Sequence, residues 1–175
     1  MQTCKTHLLI SVGIIILIIS CKQKETQKVE SKNKIEETIF TKQYIENDSL
    51  LIRLKSDLYR MAFNPVFEGE EKPEINTHNK TVADTSKTLI FDKTKIHFYR
   101  ESNWEIIVSA KIKNSRFKFL ETINIGEKKE ILENIVKTEL KANSITIGNL
   151  KHTTLFIFKF ENDILKEIVY KYDEG

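Results

Sequence analysis

The segment TLFIFKF, residues 154–160, decides the fold class of this 175-residue chain. Its three phenylalanines occupy every second position and therefore share one face of an extended chain, because successive side chains of a strand point to opposite sides. Leu155 and Ile157 make the other face apolar as well. A strand with two apolar faces is typical of a sheet interior, so the pattern predicts a central strand.

Two hairpins are predicted around this strand. The turn END, residues 161–163, leads into LKEIVYKY, residues 165–172, in which apolar side chains alternate. The segments TLIFD, residues 88–92, and KIHFY, residues 95–99, are rich in strand-forming residues and are separated by two residues. Both pairs are expected to add antiparallel strands to one sheet.

Three further segments complete the expected sheet. The segment WEIIVSAKI, residues 104–112, predicts a strand that is covered on one side. The side chains expected on its covered face are Trp104, Ile106, Val108, Ala110 and Ile112. The segment RFKFL, residues 116–120, is expected to return as a strand with Phe117 and Phe119 inward. SITIGN, residues 144–149, predicts a short strand and a turn.

Two segments carry apolar residues at helical spacing. DSLLIRLKSDLYRMA, residues 48–62, favours a helix capped by Asp48 or Ser49, although part of its apolar set alternates and a strand stays open. INIGEKKEILENIVKTELKANS, residues 123–144, predicts a second helix with charged residues on its outer face. Residues 64–87 hold both prolines and many polar residues, so a long loop is expected there, and such loops are usually functional or disordered.

These elements predict an α+β fold, an antiparallel sheet with one or two helices packed on one face, in a single domain over residues 39–175. The net charge is +3, from 28 basic and 25 acidic residues with interspersed signs. That small excess indicates no nucleic-acid partner.

The first twenty residues have the pattern of a secretory signal. Lys5 precedes an apolar run from Leu8 to Ile19, which would form about 18 Å of helix. A bilayer-spanning helix needs about 20 apolar residues, so this run is too short to span. A basic start and a short apolar centre are typical of a signal peptide, which we expect to occupy residues 1–20 and to be removed.

The sequence Ile18-Ile19-Ser20-Cys21 resembles the lipobox of bacterial lipoproteins. The resemblance implies that the Cys21 sulfur receives a diacylglycerol, that a peptidase cuts before Cys21, and that the new amine is acylated, typically with palmitate. It also implies attachment to a membrane of the cell envelope, the outer membrane if the source has one. The alternative is a plain signal with a chance cysteine, or a short membrane stub.

A polar tether is expected between the lipid and the domain. Residues 21–38 alternate lysine and glutamate with few apolar residues, and such a segment cannot bury enough surface to offset its ordering entropy. After cleavage Cys21 is the last cysteine left, so the mature chain is expected to have no disulfide and no thiolate metal ligand.

Motifs for catalysis are scarce in this sequence. His78, His97 and His152 are far apart and show no metal-binding spacing, and no cofactor is predicted because glycine-rich phosphate loops are absent. Ser115 and Lys118 match S-x-x-K but lie at an expected turn, where the pair cannot share a helical face. Alternating aromatic residues could line a carbohydrate pocket, but they more often form sheet core.

The segment INIGEKKEIL, with the paired strands that follow, is similar to small envelope lipoprotein modules over residues 123–172. Those modules include accessory lipoproteins of outer-membrane barrel assembly and β-lactamase-inhibitor-like domains. The resemblance bears on fold alone. The expected function is therefore binding of another envelope protein without catalysis, and the alternative is a small-ligand carrier or enzyme with a site near residues 64–87.

Overall fold

A computed structural model describes residues 41–75, 83–101 and 104–173. The predicted signal peptide, the tether and Cys21 lie outside these residues and stay predictions. The described elements, in chain order, are β1 (Lys42–Glu46), α1 (Asp48–Ala62), β2 (Glu68–Ile75), β3 (Ala83–Phe91), β4 (Thr94–Glu101), β5 (Trp104–Ile112), α2 (Lys129–Val136), β6 (Ser144–Gly148), β7 (Thr154–Glu161) and β8 (Ile164–Tyr172).

The eight described strands form one sheet in the order β1-β6-β7-β8-β5-β4-β3-β2. All neighbouring pairs are antiparallel except β1 and β6, which are parallel. The predicted sheet with helices is therefore present in outline, but the sheet is mixed and strands dominate the fold. β1 was not predicted, because its partner lies about one hundred residues further along the chain and a parallel pair depends on such a long connection.

β7 is an interior strand, as predicted, with β6 and β8 as its neighbours. The side chains of Phe156, Phe158 and Phe160 are buried, while Leu155 and Ile157 are half-buried on the opposite face. The hairpin to β8 turns at Asn162 and Asp163, also as predicted. The alternation of phenylalanines was sufficient to predict β7, because the side chains of β6 and β8 bury the same face of the sheet.

The predicted helix over residues 48–62 is confirmed as α1. All five of its expected apolar residues belong to the core: Leu50, Leu51, Leu54, Leu58 and Met61. The cap was predicted wrongly, because the side chain of Asn47, rather than Asp48 or Ser49, accepts the hydrogen bond from the Leu50 N–H at 2.9 Å. α1 packs on β6 and β7.

The second helix, α2, is shorter than the segment that predicted it. It ends at Val136, and the next residue, Lys137, has left-handed backbone (φ 54°) and donates its N–H to the Glu133 carbonyl at 2.7 Å. Leu140 is buried beyond the end of the helix, and its N–H is bound by the Glu133 side chain at 2.9 Å. The sequence predicted a longer helix because Leu140 continues the apolar spacing, although its side chain reaches the core from an irregular segment.

Residues 64–87 were predicted wrongly as a long loop. Glu68–Ile75 and Ala83–Phe91 pair as the antiparallel strands β2 and β3, and residues 76–82 lie outside the described part. β2 is exposed along its whole length and contains Pro73 and several glutamates. Charges and proline are typical of edge strands, where they oppose pairing with another chain. The composition that indicated a loop therefore belongs to an exposed edge strand.

The face assigned to β5 was wrong in its first half. Phe98 pairs with Ile107 and His97 pairs with Ser109, so β5 carries one extra residue, a β-bulge. The bulge reverses the alternation: Ile107 is buried, whereas Trp104 is 41% exposed. Ala110 and Ile112, beyond the bulge, face the core as predicted.

Residues 116–120 do not form a strand. Phe119 makes a single bridge to Ile123, and the chain between them is a tight turn. Phe117 and Phe119 are nevertheless buried, so the prediction of their inward direction is confirmed.

Candidate functional site

A groove of about 490 Å³ lies between α1 and the turn that follows Phe119. Its wall consists of Ile52, Arg53, Ser56, Asp57, Arg60, Leu120 and Glu121, and we name it the α1 groove. A smaller hollow of about 270 Å³ shares Asp57, Arg60 and Glu121 with it and extends to Asn64 and Phe117. Helix and turn together therefore form one continuous concave surface.

Asp57 connects the two sides of the α1 groove. Its carboxylate is 9% exposed, and one oxygen accepts the Leu120 N–H at 2.7 Å. The other oxygen accepts a hydrogen bond from Arg60, one helical turn further along α1. A buried carboxylate is costly unless it is paired, so these two contacts allow Asp57 to hold the turn against the helix.

The turn itself is strained. Leu120 and Glu121 both have left-handed backbone, with φ of 50° and 66°. For residues other than glycine this conformation costs about 1–2 kcal/mol each. Phe119 and Ile123 hold the turn closed through two backbone hydrogen bonds of 2.8 Å, and both side chains are buried. Five other described non-glycine residues also have left-handed backbone, at turns and at the end of α2, so the turn is singled out by its bond to the buried Asp57, and this combination makes the groove a candidate site.

One exposed apolar side chain lies in the charged wall, and a second lies at the end of α1. Ile52, in the groove, is 70% exposed, and Phe63, at the end of α1, is 76% exposed. The Arg60 side chain is 78% exposed although its guanidinium binds Asp57. Arginine and aromatic side chains are enriched among the residues that dominate protein–protein binding.

The chemistry of the α1 groove suits binding. Ser56 supplies a hydroxyl, but the described wall contains no histidine or cysteine. Both carboxylate oxygens of Asp57 are engaged, by Leu120 and by Arg60, so Asp57 is not placed to activate Ser56. In the part of the chain that the structure describes, no three histidine, cysteine, aspartate or glutamate side chains converge as a metal site.

The histidines and the S-x-x-K pair lie apart from this groove. His97 points away from the core, as predicted, and its Nδ1 lies 2.9 Å from the Thr88 hydroxyl. His152 lies in a turn with its ring 4.5 Å from that of Tyr44, and His78 is outside the described residues. Ser115 lies at a turn and residues 115–118 do not form a helix, so Ser115 and Lys118 do not share a helical face.

The aromatic residues that could have lined a carbohydrate pocket are mostly core. The buried members are Phe117, Phe119, Phe156, Phe158 and Phe160. Trp104 is the exception in this set, since its ring is exposed and lies 6.1 Å from that of Tyr99 on the open face of the sheet. The interpretation as sheet core is therefore confirmed for the three phenylalanines of β7, whereas Phe117 and Phe119 reach the core from an irregular segment.

The sequence did not predict the α1 groove. One signal was present: Asp57 lies among the buried positions of α1, beside Leu54 and Leu58, where a carboxylate requires a partner. No signal marked the strained turn, because left-handed backbone is usually indicated by glycine or asparagine and this turn uses leucine and glutamate.

No family model, curated protein or solved structure matches this chain. Within residues 41–75, 83–101 and 104–173, no helix combines the length and apolar content that a bilayer crossing requires. The fold and the site thus define a mixed sheet of eight described strands with two helices and a polar groove on one helix.

Proposed function

We propose that this chain is a lipid-anchored protein of the cell envelope that acts by binding another envelope protein through the α1 groove. The observation that supports it best is the strained turn at Leu120 and Glu121, held by the buried Asp57 beside the exposed Ile52. A fold that maintains strain in a surface turn keeps the groove in one shape, which reduces the ordering cost of binding.

The anchor is the second part of the proposal. The resemblance of Ile18-Ile19-Ser20-Cys21 to a lipobox supports a lipid on Cys21, and residues 22–38 would tether the domain to the membrane. The proposal includes the finer α+β arrangement, in which both helices lie on one face of the sheet. The other face is then available for contacts with different molecules.

The wall of the groove indicates the chemistry of the partner. Arg53 and Arg60 offer guanidinium groups, of which Arg60 is partly neutralised by Asp57, and Ile52 offers an apolar contact. We expect the partner to present carboxylate or carbonyl oxygens beside an apolar side chain. Catalysis is not part of the proposal, because both carboxylate oxygens of Asp57 are already engaged by Leu120 and Arg60.

Site-specific photo-crosslinking tests this binding. A photoreactive phenylalanine analogue at position 56, introduced into the full-length chain in its native cells, is expected to give one discrete adduct with an envelope protein. Ile52→Asp in the same chain should abolish the adduct with little effect on stability, because Ile52 is 70% exposed.

Position 72 provides the matched control. Lys72 is exposed on the edge strand β2, far from α1 in the strand order, so the same analogue there should give no such adduct. Adducts of equal yield at positions 56 and 72, or an adduct at position 56 that survives Ile52→Asp, would contradict binding through the groove.

A further inference from the structure

A row of polar side chains crosses the open face of the sheet. The directly paired residues of this row are Lys42 in β1, Ser144 in β6, Lys159 in β7 and Glu167 in β8. Their sequence neighbours Ile145, Phe158 and Ile168 are buried in the core. Because successive side chains alternate, the row lies on the face that points away from the core.

Glu167 is the centre of this row. Its side chain is 9% exposed, yet it contacts three ammonium groups, those of Lys159 at 2.7 Å, Lys113 at 3.0 Å and Lys111 at 3.4 Å. We name these four residues the Glu167 cluster. Burial, the largest influence, raises the pKa of the Glu167 carboxyl, but the hydrogen bonds and charges of the lysines together hold that pKa below its usual range. Glu167 is therefore ionised.

The cluster has an excess of positive charge. One carboxylate faces three ammonium groups, and like charges at this spacing repel. A depression of about 440 Å³ adjoins it, and Lys42, Lys166 and Glu161 line that depression together with cluster residues. Ser144 and Asn143 add a hydroxyl and an amide that could donate hydrogen bonds. The site is thus suited to phosphate oxygens, which accept several such bonds.

We propose that the Glu167 cluster and its depression dock on the phosphate headgroups of the anionic membrane that holds the lipid on Cys21. This inference rests on the proposed anchor but not on the proposed groove. It assigns the open face of the sheet to the membrane surface and leaves the α1 groove for the protein partner.

The chain connection favours a membrane over a soluble phosphorylated partner. Lys42, which lines the depression, is also the first residue of β1, so the described part of the chain begins beside this site. Cys21 lies 20 residues before Thr41, a distance of at most about 70 Å of chain. Lysines near an anionic surface strengthen binding by about fivefold each, and the attraction acts within a Debye length of about 8–10 Å.

Lysine acetylation footprinting of the full lipidated chain tests this docking. The chain is reconstituted in phosphatidylethanolamine–phosphatidylglycerol vesicles and, separately, in phosphatidylcholine vesicles, and acetylation is followed by mass spectrometry. Lys113, Lys159 and Lys166 are expected to react at least fivefold more slowly in the anionic vesicles. Lys72 and Lys151, both exposed outside the site, serve as internal controls whose rates should agree within a factor of two. Addition of 1 M NaCl should remove the difference.

Each of the following outcomes would contradict the docking. Equal rates for Lys113 and Lys159 in both vesicles would show that the face does not meet the headgroups. Protection in phosphatidylcholine that appears only with added inorganic phosphate would assign the site to free phosphate instead. If the chain associates with neither vesicle, the anchor is absent and both proposals fail. If the chain associates with both vesicles but its lysines react at equal rates in the two, the docking alone is refuted.

Discussion

Replacement of Phe158 by alanine is expected to lower the free energy of unfolding by about 3–5 kcal/mol. The Phe158 side chain is fully buried in the interior strand β7, opposite Ile145 in β6 and Ile168 in β8. The three side chains meet in the core, so truncation would leave a cavity that neighbouring strands cannot close. Since a domain of this size is stable by about 5–15 kcal/mol, the variant should lose a large share of its stability.

Urea unfolding of a soluble form that begins after Cys21 measures this loss. Glu161→Ala is the matched control, because Glu161 is exposed at the end of the same strand and should change stability by about 0.5 kcal/mol or less. Equal midpoints for the two variants would show that β7 is not the inward-facing central strand.

Substitution of Gly148 by alanine is expected to cost about 1–3 kcal/mol, because it overpacks the contact between β1 and β6. A Cβ at position 148 would lie 2.5 Å from the Tyr44 hydroxyl oxygen and 2.6 Å from Leu155 Cδ2. Tyr44 cannot move away freely, since its hydroxyl donates a 2.6 Å hydrogen bond to the Asn149 carbonyl and its ring packs on His152. The substitution should therefore weaken the packing of β1, the parallel edge strand, against β6.

A double-mutant cycle with Tyr44→Ala isolates this contact. The cost of Gly148→Ala, measured by urea unfolding, should fall in the Tyr44→Ala background, while the contact with Leu155 should retain part of it. If the two substitutions are additive within about 0.3–0.5 kcal/mol, the contact of Tyr44 with position 148 is contradicted.

The elements that the sequence predicts well are those whose signal is local. α1 and β7 were predicted because one periodic face of each is buried by several neighbours, and the period is then readable without knowledge of the partners. The β3–β4 hairpin has the same property, since its strands are adjacent in the chain and its turn spans two residues.

The elements that were missed depend on distant parts of the chain. β1 needs β6 as its parallel partner, and β2 is an exposed edge strand with no apolar period. The β-bulge in β5 moves Trp104 to the open face because the register is set by β4, not by the alternation within β5.

The candidate site was also beyond local patterning. The α1 groove joins Asp57 to Leu120, which are 63 positions apart in sequence, and the Glu167 cluster joins three strands. Neither set has a motif spacing, since both depend on the sheet order and on the turn after Phe119. In contrast, lipidation of Cys21 is predicted from a contiguous motif. Cys21 lies outside the described residues, so its lipidation stays a prediction.

Partner binding at the envelope and docking on the membrane both require a lipid on Cys21, so the most direct measurement is fatty-acid labelling of growing cells. The wild-type chain is expected to incorporate the label and to be cleaved before Cys21, whereas Cys21→Ala should stay uncleaved and unlabelled. Intact-mass analysis of the chain purified from membranes reports both changes together. Equal label on the wild type and on Cys21→Ala, or no label on either, would contradict the anchor.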